Sequence, residues 1–218
     1  SRPAANGWTW IAEGWELFKH QPGMWIGIVL LAAVIFIAVG LIPLAGSLAD
    51  LVDRGAPYSE EEALCWCRDA LRALDYAHEH GIVHRDVKPD NILLDQHTGR
   101  ALVSDFGIAR ATEISGSTAV GEILGTAQYM SPEQACGETV DGRSDLYSLG
   151  CVGFFAATGR PPFEAESAHK LLMQHLTVPA PRVLAIRPEF PSGLGAVIAQ
   201  CLEKDPVARY PTGEEMAD

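Results

Sequence analysis

A long stretch without charged side chains lies near the start of the sequence. Residues 21–49 contain no Asp, Glu, Lys, Arg or His, and only Gly27, Gly40 and Pro43 interrupt the apolar run Met24–Ala45. An α-helix rises about 1.5 Å per residue, so a run of this length would cross a hydrocarbon layer about 30 Å thick. The stretch therefore predicts a transmembrane helix over residues 24–45. A buried core helix is the alternative interpretation.

The residues before this stretch are rich in tryptophan. Trp8, Ile11, Trp15 and Phe18 recur at helical spacing, which is typical of a short helix at a membrane interface. A stripe that packs on a protein core is the alternative. The apolar run is too long for a cleaved signal peptide, and no basic cluster precedes it. Residues 1–45 are therefore predicted to form an interfacial and transmembrane helical segment, which resembles the N-terminal part of some small bacterial membrane proteins.

Composition and charge exclude several classes of protein. Hydrophobic residues make up 48% and charged residues 20% of the 218 residues, which is globular composition rather than that of a disordered chain. The formal net charge is −12, so no nucleic-acid partner is expected, because such partners require a basic face. The 5 cysteines include no C-x-x-C pair, which favours reduced thiols over a disulfide framework or a zinc site.

From residue 46 onward the pattern is that of a mainly helical domain with one short β-hairpin. Ser59 and Glu62 form a capping box at the start of a helix that Gly81 ends. The apolar stripe of this helix is Leu64, Cys67, Leu71, Leu74 and His78. Short strands are predicted over Ile92–Leu94 and Ala101–Ser104, joined by a turn. Further helices are expected over Ser144–Thr158, Ala168–Leu176 and Leu194–Leu202.

A series of short motifs occupies the same part of the chain. The strip His84–Asn91 reads H-R-D-V-K-P-D-N, Asp105–Gly107 reads D-F-G, and Ser131–Glu133 reads S-P-E. The segments that complete the series are Gly125–Glu133, Ser144–Gly150, Gly159–Phe163, and Lys204–Pro206 with Arg209. Six motifs in a fixed order, counting S-P-E as part of Gly125–Glu133, leave little room for chance.

This series resembles the larger, C-terminal lobe of a protein kinase, specifically that of the bacterial members of the eukaryotic-like (Hanks-type) serine/threonine kinase family. The resemblance covers residues 46–218 and implies a mainly α-helical lobe with a short β-hairpin. It implies an enzyme that binds ATP and Mg²⁺ and transfers a phosphoryl group to a Ser or Thr hydroxyl of a protein substrate.

The resemblance assigns the chemistry to four residues. Asp86 is expected to be the catalytic base that accepts the proton of the substrate hydroxyl. Lys88 is expected to contact the transferred phosphoryl group, and a lysine at this position is typical of Ser/Thr specificity. Asn91 and Asp105 are expected to hold Mg²⁺ through oxygen atoms, which this cation prefers. Asn91 thus belongs to the catalytic set with Asp86 and Lys88, and Lys88, Asn91 and Asp105 are the expected binding residues for ATP with its metal.

Other motif positions are expected to support the site. The resemblance implies that His84 is a structural hydrogen-bonding residue rather than a metal ligand or base. Asp145 would brace the catalytic loop through its backbone, and Glu133 would pair with Arg209. Arg85 would face a phosphate on the activation segment, because an Arg–phosphate pair can order a loop.

The activation segment offers several candidate phosphate acceptors. They are Thr112, Ser115, Ser117 and Thr118, for which ordinary polar loop residues are the alternative interpretation. Thr126 is expected to be a positioning hydroxyl near Asp86 and Lys88. Ala127 stands where many members of the family have proline.

The sequence lacks the motifs of a kinase's smaller, N-terminal lobe. No G-x-G-x-x-G occurs, and the only lysine before Lys88 is Lys19, which lies in a helical context. Without that lobe the phosphates would be open to water, so impaired transfer is expected. The alternatives are a non-catalytic, membrane-tethered kinase-like module and a gene-fusion remnant. The expected partners are a protein substrate, membrane lipid and a second kinase in trans, and the expected location is a single-pass membrane site with the kinase part in the cytoplasm.

Overall fold

The computed structural model describes residues 44–53, 60–106, 125 and 127–217, which are mainly helical. The helices are α1 (Leu48–Asp53), α2 (Glu60–Glu79), α3 (Pro132–Cys136), α4 (Gly142–Thr158), α5 (Ala168–Thr177), α6 (Val183–Ile186), α7 (Ser192–Cys201) and α8 (Gly213–Ala217). The three strands are β1 (Leu44–Ser47), β2 (Ile92–Asp95) and β3 (Ala101–Val103), which form one antiparallel sheet in that order. The prediction of a mainly helical lobe with a small antiparallel hairpin is confirmed at this level.

The predicted hairpin is formed by β2 and β3. Its turn closes because Asp95 accepts a hydrogen bond of 2.9 Å from the His97 amide through its side chain, and one of 2.9 Å from the Gly99 amide through its carbonyl. Gly99 has a φ of 67°, a conformation that glycine adopts without strain. The indole nitrogen of Trp66 donates to the Gly99 carbonyl at 3.1 Å, and so ties the turn to α2.

Strand β1 differs from the sequence prediction. Leu44 and Ala45 were expected to end a transmembrane helix, but they lie in this strand, which pairs with β2 through a bulge between Leu44 and Gly46. Pairing with the hairpin supplies the backbone hydrogen bonds that a helix would otherwise supply. Residues 1–43, the rest of the predicted membrane segment, lie outside the described residues. Within the described ranges, no helix combines the length and the apolar character that a membrane crossing requires.

Helix α2 lies where the sequence predicts, and Gly81, with a φ of 73°, ends it. Its predicted cap, Ser59, lies outside the described residues. The buried face was predicted only in part, because Leu64 is 40% exposed whereas Trp66 and Ala70 are buried. The physical reason is that α2 packs against both α4 and β3, so its buried surface is wider than a single stripe.

Helix α4 is the core scaffold of the lobe. Most of its residues are buried, and it packs against α2 and α7. The side chain of Asp141 caps its start by accepting a hydrogen bond of 2.9 Å from the Arg143 amide. Gly159, in a left-handed conformation with a φ of 73°, ends it. A helix that is apolar on nearly all sides belongs in the interior of a domain.

Gly150 allows α7 to approach α4 closely. A Cβ at this position would lie 2.7 Å from the Cβ of Cys201. Gly150→Ala is therefore expected to lower the free energy of unfolding by about 1–3 kcal/mol, although alanine has the higher helix propensity. Gly153→Ala is the matched control, because its new Cβ would meet Ile198 at 3.4 Å, in ordinary contact. Denaturant unfolding of both variants checks this, and equal stability of the two would contradict it.

Candidate active site

The strip His84–Asn91 forms a loop between α2 and β2. Val87, in its middle, is buried in the main core and anchors the loop to the lobe. One turn of 3₁₀-helix, Pro89–Asn91, closes the loop and leads directly into β2. The proline suits the first position of this turn because its φ is fixed and its missing N–H would have no partner there. The polar residues of the strip are therefore carried on a backbone that is held in the middle and at its end.

The loop brings three of the predicted catalytic side chains together. The Oδ2 atom of Asp86 lies 3.6 Å from Nζ of Lys88 and 3.3 Å from Nδ2 of Asn91, which donates to it. The same amide nitrogen donates to the Asp86 carbonyl at 2.8 Å. The side chains of Asp86 and Lys88 are 12% and 21% exposed. A carboxylate is thus fixed beside an ammonium group in a recess that solvent still reaches.

Asp105 follows β3 and is connected to the loop through Ser104. The Ser104 amide donates to the Asn91 carbonyl at 2.9 Å, and its hydroxyl lies 3.3 Å from the same carbonyl. That hydroxyl also lies 3.5 Å from Oδ2 of Asp105. Asp105 has a φ of 57°, a left-handed conformation that Asp tolerates better than most residues. The hairpin therefore carries the Asp105 carboxylate to the end of the loop at which Asn91 lies.

Asn91 and Asp105 together suit a magnesium ion. The nitrogen of the Asn91 side chain is occupied by Asp86, and no described residue donates a hydrogen bond to its Oδ1. Asp105 is exposed, so its carboxylate can reach a ligand. The described residues hold no group of three or more His, Cys, Asp or Glu side chains that could form a protein-only metal cluster. One amide oxygen and one carboxylate match a cation that keeps several waters and binds substrate phosphates.

Asp145 braces the loop through its backbone, which is the geometry that the family resemblance implies. Its Oδ2 accepts a hydrogen bond of 2.8 Å from the His84 amide, and its Oδ1 accepts one of 2.8 Å from the Arg85 amide. The carboxylate is 1% exposed, and it also lies 2.7 Å from Nε2 of His78 on α2. Asp145 of α4 thus holds the first residues of the strip, and His78 of α2 contacts the same carboxylate.

His84 is fully buried and occupied by its neighbours. Its Nε2 lies 2.9 Å from the Ser104 carbonyl, and its Nδ1 accepts a hydrogen bond of 3.2 Å from the Asp86 amide. Its ring also contacts that of Phe106, with 4.5 Å between the ring centroids. Both ring nitrogens are used within the lobe, so this geometry favours a structural role over metal binding or base catalysis.

Glu133 and Arg209 form a buried two-pronged ion pair. Their N–O distances are 2.8 and 2.9 Å, and the side chains are 5% and 0% exposed. Ser144 donates to the same carboxylate. The guanidinium also donates to the carbonyls of Arg143, Glu203 and Lys204. Burial acts to raise the pKa of Glu133, but the hydrogen bonds from Arg209 and Ser144 outweigh it, so the pKa lies below its usual value.

Arg85 is exposed, and its backbone has a φ of 66°. The predicted acceptors for its phosphate partner, Thr112, Ser115, Ser117 and Thr118, lie outside the described residues, as does Thr126. Ala127, at the end of that segment, is buried in a small cluster with Phe163 and Leu171.

Three supporting residues were not predicted from the sequence. His78 was assigned to the apolar stripe of α2, and nothing in its spacing indicated the contact with Asp145. Ser104 borders the D-F-G motif but belongs to no motif itself. Gln134 could have been found, because it stands three residues after Ser131 and completes the S-x-x-Q pattern of a capping box.

Comparison with known families agrees with this arrangement. A family model of the protein kinase domain matches residues 36–217, which is most of the chain. The chain therefore belongs to the protein kinase family. The match begins at residue 36, ahead of the predicted domain start at residue 46, and so overlaps the apolar stretch.

The chain is similar to bacterial serine/threonine kinases. It is 44% identical over 176 residues to serine/threonine-protein kinase PknB of Mycolicibacterium smegmatis, which covers 78% of this chain and 27% of that protein. It is 43% identical over 172 residues to PknB of Mycobacterium tuberculosis, with shares of 78% and 27%. A probable serine/threonine-protein kinase of Corynebacterium efficiens is 44% identical over 176 residues, with shares of 78% and 26%. Membership of the protein kinase family is thus confirmed, and the relatives' names support the predicted serine/threonine class. The chain spans about a quarter of the length of these relatives.

Proposed function

We propose that the chain is the C-terminal lobe of a serine/threonine protein kinase and supplies the base for phosphoryl transfer from ATP to a Ser or Thr hydroxyl of a protein. The observation that carries this proposal is the contact of Asp86 with Lys88 and Asn91 on an anchored loop. In the reaction, Asp86 accepts the hydroxyl proton while the hydroxyl oxygen bonds to the γ-phosphorus. The bond from that phosphorus to the ADP oxygen breaks, and ADP leaves with its electron pair.

The neighbouring residues provide position and charge. Nζ of Lys88 lies close enough to the Asp86 carboxylate that both can reach one substrate group, and its charge stabilises the negative oxygens of the transition state. Asn91 and Asp105 are the residues that would hold Mg²⁺. An ion held by these two residues would neutralise charge on the phosphate oxygens, which is the main requirement of this reaction. Asn91 also orients the base, through its hydrogen bonds to Asp86.

The activation segment is proposed to act through Arg85. The side chain of Arg85 is exposed and next in sequence to the base, which supports a pairing with a phosphate on Thr112, Ser115, Ser117 or Thr118. Thr126 is proposed to position the substrate hydroxyl.

Phosphoamino-acid analysis tests the substrate class. The purified chain is incubated with γ-labelled ATP, Mg²⁺ and three peptides that differ only in carrying Ser, Thr or Tyr. Label is expected on the Ser and Thr peptides and not on the Tyr peptide. Label on the Tyr peptide would contradict the Ser/Thr specificity that Lys88 indicates. The absence of label on all three peptides would contradict a catalytic role for this chain.

We further propose that these 218 residues alone bind Mg-ATP weakly. The sequence contains no G-x-G-x-x-G and no lysine between residues 20 and 87, so the phosphates lack the cover and charge that a kinase's small lobe supplies. Ligand binding raises stability by RT ln(1 + [L]/Kd), so weak binding predicts no measurable rise in Tm with millimolar Mg-ATP. A rise of several degrees that Asp105→Asn abolishes would overturn this. The same sequence observation favours a second candidate function, a non-catalytic kinase-like module that binds a partner kinase in trans.

Membrane attachment through residues 1–45 stays a prediction. The family match over residues 36–45 leaves residues 24–35 as the apolar run ahead of the kinase domain. Twelve helical residues would span about 18 Å, which is less than the hydrocarbon layer of about 30 Å. Release of the chain by a carbonate wash would support the alternative interpretation, a buried core helix. Retention in the membrane fraction would support single-pass attachment with the kinase lobe in the cytoplasm.

A further inference from the structure

Arg85, whose carbonyl precedes Asp86, has an unfavourable backbone conformation. Arg85 has a φ of 66°, which is disfavoured for a residue with a Cβ, so neighbouring groups must maintain it. On one side, the Arg85 amide donates to Asp145, as described above. The next amide, that of Asp86, donates to Nδ1 of His84. These two hydrogen bonds hold the backbone amides of Arg85 and Asp86. The carbonyl oxygen of Arg85 needs a different partner.

Gln134, on α3, is the hydrogen-bond partner of that carbonyl. Its Nε2 donates to the Arg85 carbonyl at 2.9 Å. Its Oε1 is fixed in turn, because it accepts hydrogen bonds from the amide of Ser131 at 3.0 Å and from the hydroxyl of Ser131 at 3.1 Å. One side-chain amide therefore caps the start of α3 with its oxygen and holds the catalytic loop with its nitrogen.

We propose that Gln134 is a positioning residue, which keeps the peptide plane before Asp86 in the orientation that catalysis needs. The proposal deepens the proposed function and rests on it for its catalytic consequence. Because Gln134 directly follows the S-P-E motif at the end of the activation segment, it also connects that segment mechanically to the base. A change in the position of α3 would be transmitted to the Arg85–Asp86 peptide through a single hydrogen bond.

The substitution Gln134→Glu tests the donor role of this side chain separately from its acceptor role. The variant keeps an oxygen for Ser131 but replaces the donor to Arg85 with a second oxygen. Hydrogen exchange of the Asp86 amide, which belongs to the same peptide unit as the Arg85 carbonyl, is expected to become about five- to tenfold faster, the effect of losing one partly exposed hydrogen bond. Gln200→Glu, an exposed position on α7, is the control with the same change in charge and is expected to leave exchange in the loop unchanged. Acidification that protonates the introduced carboxylate restores an O–H donor, so exchange protection should return in the Gln134→Glu variant alone.

Kinetics provide the second readout. Where transfer by the unaltered chain is measurable, Gln134→Glu is expected to lower kcat with little change in the KM for ATP, since it touches no nucleotide-binding residue.

Unchanged loop exchange in Gln134→Glu, or equal effects in Gln134→Glu and Gln200→Glu, would overturn the proposal. If Gln134→Glu does not fold, the unaltered chain still decides the matter. The side-chain amide protons of Gln134 should then exchange more slowly than those of Gln200, and equal rates would overturn it. Exchange is measured without ATP, so a failure of the proposed function would not be mistaken for a failure of this one.

Discussion

Asp86→Asn is expected to reduce phosphoryl transfer by at least about a hundredfold, because a positioned general base contributes about 10²–10⁴-fold to a rate. The replacement is nearly isosteric, so the loop should keep its shape. It removes the negative charge that lies 3.6 Å from Nζ of Lys88, and with it the proposed acceptor of the substrate proton. Initial rates with γ-labelled ATP and a Ser peptide measure the effect, and thermal unfolding verifies that the variant folds.

Asp90→Asn is the matched control for this variant. Asp90 lies in the same loop and carries the same side chain, but it is exposed and lies in the 3₁₀ turn rather than beside Lys88. Its replacement is expected to leave the rate unchanged. Equal rates for Asp86→Asn and the unaltered chain would remove Asp86 from the role of base.

Glu133→Gln is expected to lower the free energy of unfolding by about 3–5 kcal/mol. The variant leaves the guanidinium of Arg209 buried without its counter-charge, and an unpaired buried charge is among the most destabilising changes a protein can carry. Urea unfolding at neutral pH measures the loss. Glu166→Gln is the control, because its exposed pair with Lys170, at 3.3 Å, should contribute less than about 1 kcal/mol. Similar small losses in both variants would contradict the structural importance of the buried pair.

The same pair makes a prediction about pH. The folded-state pKa of Glu133 lies below its usual value of 4.5, chiefly because the bonds from Arg209 and Ser144 outweigh burial. The contribution of the pair to stability is therefore complete above the unfolded-state pKa and is lost as the pH falls through the lower, folded-state pKa. The difference in unfolding free energy between the unaltered chain and Glu133→Gln should be constant at neutral pH and shrink in acid.

Local features of the lobe were predictable from the sequence, and features that depend on distant contacts were not. The hairpin and the ends of α2 and α4 follow from turn and capping residues such as Gly99, Gly81 and Gly159, whose signals lie within a few residues. The strand β1 was missed because a short apolar run supports either a helix or a strand until its pairing partner is known. Leu64 was placed in the core because periodicity identifies a stripe on a helix but not how many neighbours cover that helix.

The candidate site shows the same division. The family resemblance predicted that Asp86, Lys88 and Asn91 share a site, and their positions within one short strip are compatible with that. The contact of His78 with Asp145 joins positions 67 apart in the sequence, and no local pattern encodes it. The hydrogen bond from Gln134 to Arg85 joins positions 49 apart, and only the capping half of the role of Gln134 could have been found from the S-x-x-Q pattern at Ser131.

The proposed function requires that Asn91 and Asp105 hold one divalent cation beside the base, Asp86. Paramagnetic Mn²⁺, added with ATP in place of Mg²⁺ to the isotope-labelled chain, tests it directly because it broadens the NMR signals of nuclei near the ion. The strongest broadening is expected at the side-chain amide of Asn91 and at the backbone amides of residues 104–106, with none at α7 and with loss of the effect in Asp105→Asn. Broadening centred on another part of the lobe, or equally strong in Asp105→Asn, would contradict it.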